Sequence, residues 1–393
     1  MISENKHPIY NTQFALLCLS SLLFSASFNM LIPEMPAYLS SLGGSEYKGL
    51  IIALFTLTAA ISRPFSGKLT DTIGRIPVMT IGTIVCVVCG ILYPLFATVS
   101  GFLFLRLLHG FSTGFKPTAT SAYVADIVPE GRWGEAMGLH GLAFTTGMAI
   151  GPAMGSAVTS RYSIDALFYL SSVLALLSIL IVLNMKETVK NNQKFSLSVL
   201  KVKKNEIIEW QVMPSAIVTM LYYMSYGALL TLVPDWSAHL GIANKGLFFM
   251  TFTISSVVFR FIAGKTSDKY GRVIVIKASL VAVIISMLLL GLSDSVTSLL
   301  LASAIYGVGT GVFSPANNAW TVDLSHPDHR GKAISTMYIA LEVGIGGGAL
   351  LAGWLFNDVI SRVPVLFYLS GGTALIALIY LFFLPNQIKS SNG

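Results

Sequence analysis

The stretch Arg63-Pro-Phe-Ser-Gly67-Lys68-Leu-Thr-Asp71-Thr-Ile-Gly74-Arg75 recurs as Arg260-Phe-Ile-Ala-Gly264-Lys265-Thr-Ser-Asp268-Lys-Tyr-Gly271-Arg272. Six of the thirteen residues are identical, at a constant offset of 197. The same offset lays Gly110 on Gly307, Gly114 on Gly311, Asp126 on Asp323, Gly147 on Gly344 and Gly151 on Gly348, so the duplication runs through nearly the whole chain. Such a sequence folds as two similar halves, and in a membrane chain an internal repeat of this kind points to a transporter.

The chain does belong in lipid. Hydrophobic residues make up 54% of it and charged ones 11%, against about 25% charged residues in a soluble domain. A helix that crosses a bilayer needs about 20 apolar residues. Stretches of that kind fall near 13–39, 48–67, 78–98, 100–125, 133–158 and 164–185, and again near 211–237, 244–264, 273–292, 296–322, 331–356 and 364–384. This predicts an all-α polytopic membrane protein with 12 transmembrane helices in two pseudo-symmetric six-helix halves, 1–185 and 211–393, joined by a polar linker over 186–210.

The net charge of +7 would suit nucleic acid, but its distribution follows membrane topology instead. With the N-terminus inside, sixteen Lys and Arg residues, from Lys6 and Lys68 through the linker to Lys332 and Lys389, lie on the cytoplasmic side. Only Lys48, Arg161, Lys245 and Arg362 lie outside. That is the positive-inside rule. It places both termini in the cytoplasm, lets the basic excess touch anionic lipid headgroups, and leaves no role for nucleic acid. The first apolar stretch lacks a strong basic leader and runs straight into further spans, so it is expected to stay as the first helix. Cys18, Cys86 and Cys89 all fall within spans and read as packing.

Four motifs carry the chemistry. Gly67 to Arg75 reads as a tight turn between two helix ends. In it Asp71 can accept from a helix N-terminus and Arg75 can pair with Asp126. Gly264, Asp268, Gly271, Arg272 and Asp323 repeat the arrangement. In the fifth span Gly138 is followed by Gly147, Gly151 and Gly155, which lie four apart as a smooth stripe for close helix packing, and Pro152 adds a bend. In the fourth span Arg106, His109, Thr113, Lys116 and Thr120 follow steps of three and four and share one face. That face cannot point at lipid, because a cation near the bilayer centre costs about 3 kcal/mol even on a lenient scale. The offset lays Ser303, Tyr306, Thr310, Phe313 and Asn317 on the tenth span as a neutral counterpart. Ser25 and Asn29 on the first span, and Tyr222 and Tyr226 on the seventh, add matching faces.

Carboxylates within the spans are few. Glu34 and Asp235 sit beside prolines at the outer ends of the first and seventh spans. Glu342 lies deeper, about 16 Å into the eleventh by helical rise. An intramembrane carboxylate is a functional site by default, and Glu342 is read either as a proton carrier or as one half of an ion pair with Arg106 or Lys116.

The turn motif resembles the signature loop of the major facilitator superfamily, departing at Thr72 and Ile76, where members often carry basic residues. The fifth span resembles that family's antiporter signature, departing at Ser156, where a closing glycine is usual. Arg106-Leu-Leu-His109-Gly110 resembles the motif whose arginine is linked to proton transfer, with His109 in place of glutamine. The resemblance extends over all 12 spans and is nearest to the drug/proton antiporter branch, the multidrug or arabinose-efflux-like permeases. It implies a cytoplasmic gate at the paired loops and a central cavity lined by spans one, four, seven and ten. It also implies alternating access by rocking of the halves, with proton-coupled export of small amphipathic compounds from a bacterial inner membrane by a monomer. Glu342, Arg106, Glu34 and Asp235 would serve the proton; Asn29, His109, Thr113, Lys116, Tyr222, Tyr226, Tyr306, Thr310 and Asn317 would line the cavity. A lipid or lysolipid flippase, or an exporter of one anionic metabolite such as a siderophore, is the alternative. Enzyme chemistry is not expected, since no nucleophile, metal-ligand cluster or phosphate loop is evident, and neither is a cofactor.

Overall fold

Equivalent helices in the two halves begin with equivalent chemistry. In the computed structural model, which describes residues 11–128, 133–189, 208–326 and 330–384, Thr98 and Ser295, one offset apart, cap the helices that follow them through their hydroxyls. The side chains of 133–134, 262–265 and 268 also lie outside the described residues, and with them the expected roles of Gly264 and Asp268. So does most of the linker, 190–207.

The first half contains α1 (Thr12–Asn29), α2 (Met35–Ser41), α3 (Lys48–Thr72), α4 (Arg75–Leu92), α5 (Val99–Ile127), α6 (Trp133–Arg161) and α7 (Ile164–Leu183). The second contains α8 (Met213–His239), α9 (Gly246–Tyr270), α10 (Arg272–Gly291), α11 (Val296–Leu324), α12 (Arg330–Phe356) and α13 (Val363–Phe383). Leaving aside the short α2, these are the 12 predicted spans. Among the described residues, nine of them are long and apolar enough to cross a membrane on composition alone. Helices α5, α6 and α9 carry polar groups turned to the protein interior, Arg106, His109 and Lys116 among them, and lipid-facing residues are left to do the rest.

Two boundaries differ from expectation. The first span, read as continuous over 13–39, breaks after Asn29 and resumes at Met35. Pro33 and Pro36 remove backbone donors there, and Pro36 occupies the first turn of α2, where a proline is tolerated. The signature stretch, read as a turn from Gly67, is helical as far as Thr72. The chain reverses only at Ile73 and Gly74, with Gly74 at φ 114° and its repeat Gly271 at φ 91°, a region that other residues enter at a cost.

Packing obeys the repeat. Helix α1 packs on α6 and α7, α5 on α3 and α4, and α4 on α7; the second half reproduces this as α8 on α12 and α13, α11 on α9 and α10, and α10 on α13. The halves meet along two equivalent seams, α3 against α12 and α9 against α6. Glycines let backbones touch at the α1/α6 and α8/α12 crossings. A Cβ at Gly147 or Gly155 would run into the carbonyl of Leu22 or Met30, and one at Gly344 or Gly348 into that of Met220 or Met224. Gly67 and Gly138 meet nothing at that range, so those two signature glycines do not serve close packing.

Gly348→Val should therefore destabilise the protein by about 1–3 kcal/mol, the usual range for overpacking. Gly347→Val, where a Cβ meets open space, should unfold with the wild type. Thermal unfolding in detergent would show it, and equal midpoints for both variants would count against the crossing as a tight contact.

Candidate functional site

The turn between α3 and α4 is held by a cluster of charges. Arg75 donates from Nε to Asp126 at 3.0 Å and from Nη1 to Asp71 at 2.7 Å and to the Thr70 carbonyl at 2.6 Å. In the second half Arg272 donates to Asp323 at 3.1 Å and to the Ser267 hydroxyl at 2.8 Å. The expected Arg75 and Asp126 contact is thus present in both copies. The N-terminus of α4 is met not by Asp71 but by Glu187, whose carboxylate accepts from the backbone N–H of Arg75 at 3.1 Å and of Ile76 at 2.9 Å. Glu187 reaches this position because Gly74 offers no side chain to block it. Only its place just after the sixth span could have marked it in the sequence.

The cationic face of α5 turns mainly into its own half. Arg106 donates to the Ile51 carbonyl at 2.8 Å and lies over the Phe55 ring at 4.6 Å. His109 is fully buried between the Tyr93 hydroxyl, 3.1 Å away, and the Cys86 sulfur, 3.2 Å away. Lys116 hydrogen-bonds the hydroxyls of Ser20, at 2.9 Å, and of Ser178, and sits over Phe24. These residues share a face, but the face is clasped by α1, α3, α4 and α7. Lys116 and Thr120 do border a small cavity with Phe24, His140 and Phe144. Thr113 and Asn29 turn back on their own helices, to the carbonyls of Gly110 and Ser25.

The matching wall of the second half is aromatic. Tyr222 stacks on Phe313 with centroids 3.8 Å apart, and its hydroxyl pairs with Thr310 at 2.6 Å. Tyr306 pairs with Ser225 at 3.0 Å, and Tyr226 stacks against its ring. Asn317 donates to Thr219 at 2.7 Å, while its buried Oδ1 has no partner. Beside these groups lies a cleft lined by Thr219, Tyr223, Phe313, Asn317, Tyr338 and Leu341.

Glu342 is paired neither with Arg106 nor with Lys116. Its Oε1 meets Arg63 Nη2 at 2.5 Å, across the α3/α12 seam, and the same guanidinium lies over the Tyr338 ring at 5.0 Å. Helical spacing could place Glu342 at mid-depth but could not name a partner in the other half.

At the far end of the seams the halves are sealed symmetrically. Lys48 opens α3, and Lys245, one offset on, immediately precedes α9. Lys48 reaches Asp235 at 3.0 Å and Asp358 at 2.5 Å. Lys245 reaches Glu34 at 3.1 Å, and Glu34 also accepts from Ser156 at 2.6 Å, the residue that departs from the glycine pattern. Next to each lysine a glycine brings backbones into contact, Gly49 on Ala349 and Gly353, Gly246 on Pro152 and Ala153. Asn244 donates to the Ala153 carbonyl at 3.1 Å. Among the described residues, the hydrogen bonds and ion pairs between the halves lie at this end and at Arg63 and Glu342.

Two repeated six-helix halves, joined by seams that close at one end, define a membrane transporter rather than an enzyme. Residues 17–213 and 215–392 match the family described as Major Facilitator Superfamily, and the chain belongs to it. It is 30% identical over 315 residues to the multi-drug resistance efflux pump PmrA of Streptococcus pneumoniae, covering 76% of this chain and 77% of that one. It is 24% identical over 382 residues to the quinolone resistance protein NorA of Staphylococcus aureus, covering 94% and 95%. These relatives lie in the drug-efflux branch that the motifs indicate. Among solved structures, a POT family transporter in complex with 5-aminolevulinic acid superposes with a TM-score of 0.80 at 13% identity, over 96% of each chain, a likeness of fold.

Lys48 is buried and bridges two carboxylates that are themselves partly exposed, so Lys48→Gln should leave them unanswered and open the seam at its end. Paired spin labels at the Lys48 end of the two halves should report a longer distance population; an unchanged distribution would show that the glycine contacts alone hold the closure.

Proposed function

We propose that the protein is a proton-coupled exporter of small amphipathic organic compounds, working by alternating access from the plasma membrane of a bacterium. The efflux relatives and the nearly complete glycine pattern of α6, packed on α1, support export. The observation that carries the coupling is the ion pair between Arg63 and Glu342 across a seam. It sits near mid-depth, twelve residues or about 18 Å from the start of α12.

The basic residues orient the molecule. With the Asp71 end in the cytoplasm, the lysine-sealed end is extracellular and the structure is inward-facing. A proton on Glu342 removes the charge that holds Arg63, and the seam loses an ionic tie near the membrane centre. At the outer mouth, a proton on Glu34 or Asp235 releases Lys245 or Lys48 in the same way. The two sets of carboxylates thus answer protons arriving from opposite sides. Asp71, Arg75 and Asp126, with Arg272 and Asp323 in the second half, brace the turns that close the cytoplasmic mouth in the opposite state. Arg106 acts at one remove, holding α3 to α5 through the Ile51 carbonyl.

Glu342→Gln keeps the shape of the side chain but cannot exchange a proton. Proteoliposomes carrying it should bind ethidium yet fail to accumulate it under an imposed pH difference, whereas downhill movement should persist. Accumulation equal to wild type would shift the proton to Glu34 and Asp235.

A further inference from the structure

The two seams are built on the same plan but are filled differently. Arg63 of α3 and Arg260 of α9 are equivalent by the offset of 197. Arg63 is embraced from α12 by two side chains one helical turn apart, the Tyr338 ring and the Glu342 carboxylate. The same offset places Gly141 where Tyr338 stands and Thr145 where Glu342 stands (338 and 342 less 197). Both are small and neutral. The Thr145 hydroxyl turns back to the Gly141 carbonyl at 2.7 Å, and a Cβ on Gly141 would still lie 3.9 Å from Arg260 Nη1. The half-buried Arg260 therefore faces a seat from which an aromatic ring and a carboxylate are both missing. Among the described residues no carboxylate pairs with it, whereas Arg63 has Glu342; the Nε of each arginine is buried with no partner.

A guanidinium inside a membrane has to be answered by something. We propose that Arg260 is the substrate's anion site: an amphipathic aromatic carboxylate seats its carboxylate on the guanidinium and its ring over Gly141, taking the places that Glu342 and Tyr338 hold at the other seam. This rests on the export reading above and gives it a substrate class. It also moves the cationic wall of the cavity from Lys116, whose ammonium is bonded to two serines, to a residue on the opposite half. Because α6 and α9 belong to different halves, a ligand seated there bridges the seam, with its carboxylate on Arg260 of α9 and its ring against Gly141 of α6. Loading and rocking are thereby linked.

The test uses purified full-length protein in nanodiscs with 1-pyrenebutyrate and its methyl ester, followed by fluorescence. The acid should bind at least tenfold more tightly than the ester. Arg260→Gln should weaken the acid at least tenfold and the ester less than twofold, and Arg260→Lys should recover part of the loss. The double variant Gly141→Tyr, Thr145→Glu copies the α12 arrangement onto α6. It should exclude the acid while raising the thermal midpoint, which separates a filled site from a damaged fold. Equal binding of acid and ester, no binding of the acid to wild type, or an Arg260→Gln variant that binds like wild type would each overturn the site. Ethidium export measured in parallel keeps the two readings apart. If export persists when the acid test fails, only the substrate class falls; if export is absent while the acid binds as expected, the export reading falls and the anion site stands.

Discussion

A charge buried in a chain surrounded by lipid has to be met by protein, since hydrocarbon offers it nothing. That requirement organises this structure more than any hydrophobic preference, because inside a bilayer apolar contact hardly distinguishes a neighbouring helix from a lipid tail. Lys116 ties α5 to α1 and α7, and Arg106 ties it to α3. These bonds stay within one half and tie its helices together. The pairs that cross between halves are of another kind. Each joins a cation on α3, or at the start of α9, to a carboxylate of the opposite half.

The scaffold keeps the repeat and the seams break it. Helix caps, positive-φ glycines and the staples of Arg75 to Asp126 and Arg272 to Asp323 are duplicated almost residue for residue. The seam at α12 carries a tyrosine and a glutamate where that at α6 carries a glycine and a threonine. One lysine has two carboxylates and its equivalent has one.

Much of the fold was legible because lipid simplifies the code. Span limits such as 296–322 and 331–356 fall within two residues of α11 and α12, since a membrane helix must be apolar for a set length. The Arg75 and Asp126 contact could be read from the offset and the short loops. The orientation of α5 could not. Steps of three and four show that Arg106, His109 and Lys116 share a face, but a cavity and the interior of a six-helix half are equally free of lipid. Lys48 and Lys245 were visible as outside charges, yet their partners lie in the opposite half, beyond the reach of local spacing. Arg63 stood in the motif that revealed the duplication, and only its contact with α12 shows that it is more than a marker.

Glu187 has a consequence for the connection between the halves. Its carboxylate also accepts from the N–H of Thr188 and Val189, and the Thr188 hydroxyl donates to Asp126 at 2.5 Å. The first stretch beyond α7 is thereby fastened to the α3–α4 turn and travels with the first half. The turn, the Asp126 staple and the start of the connection therefore share one carboxylate, so a change at Glu187 would loosen all three together.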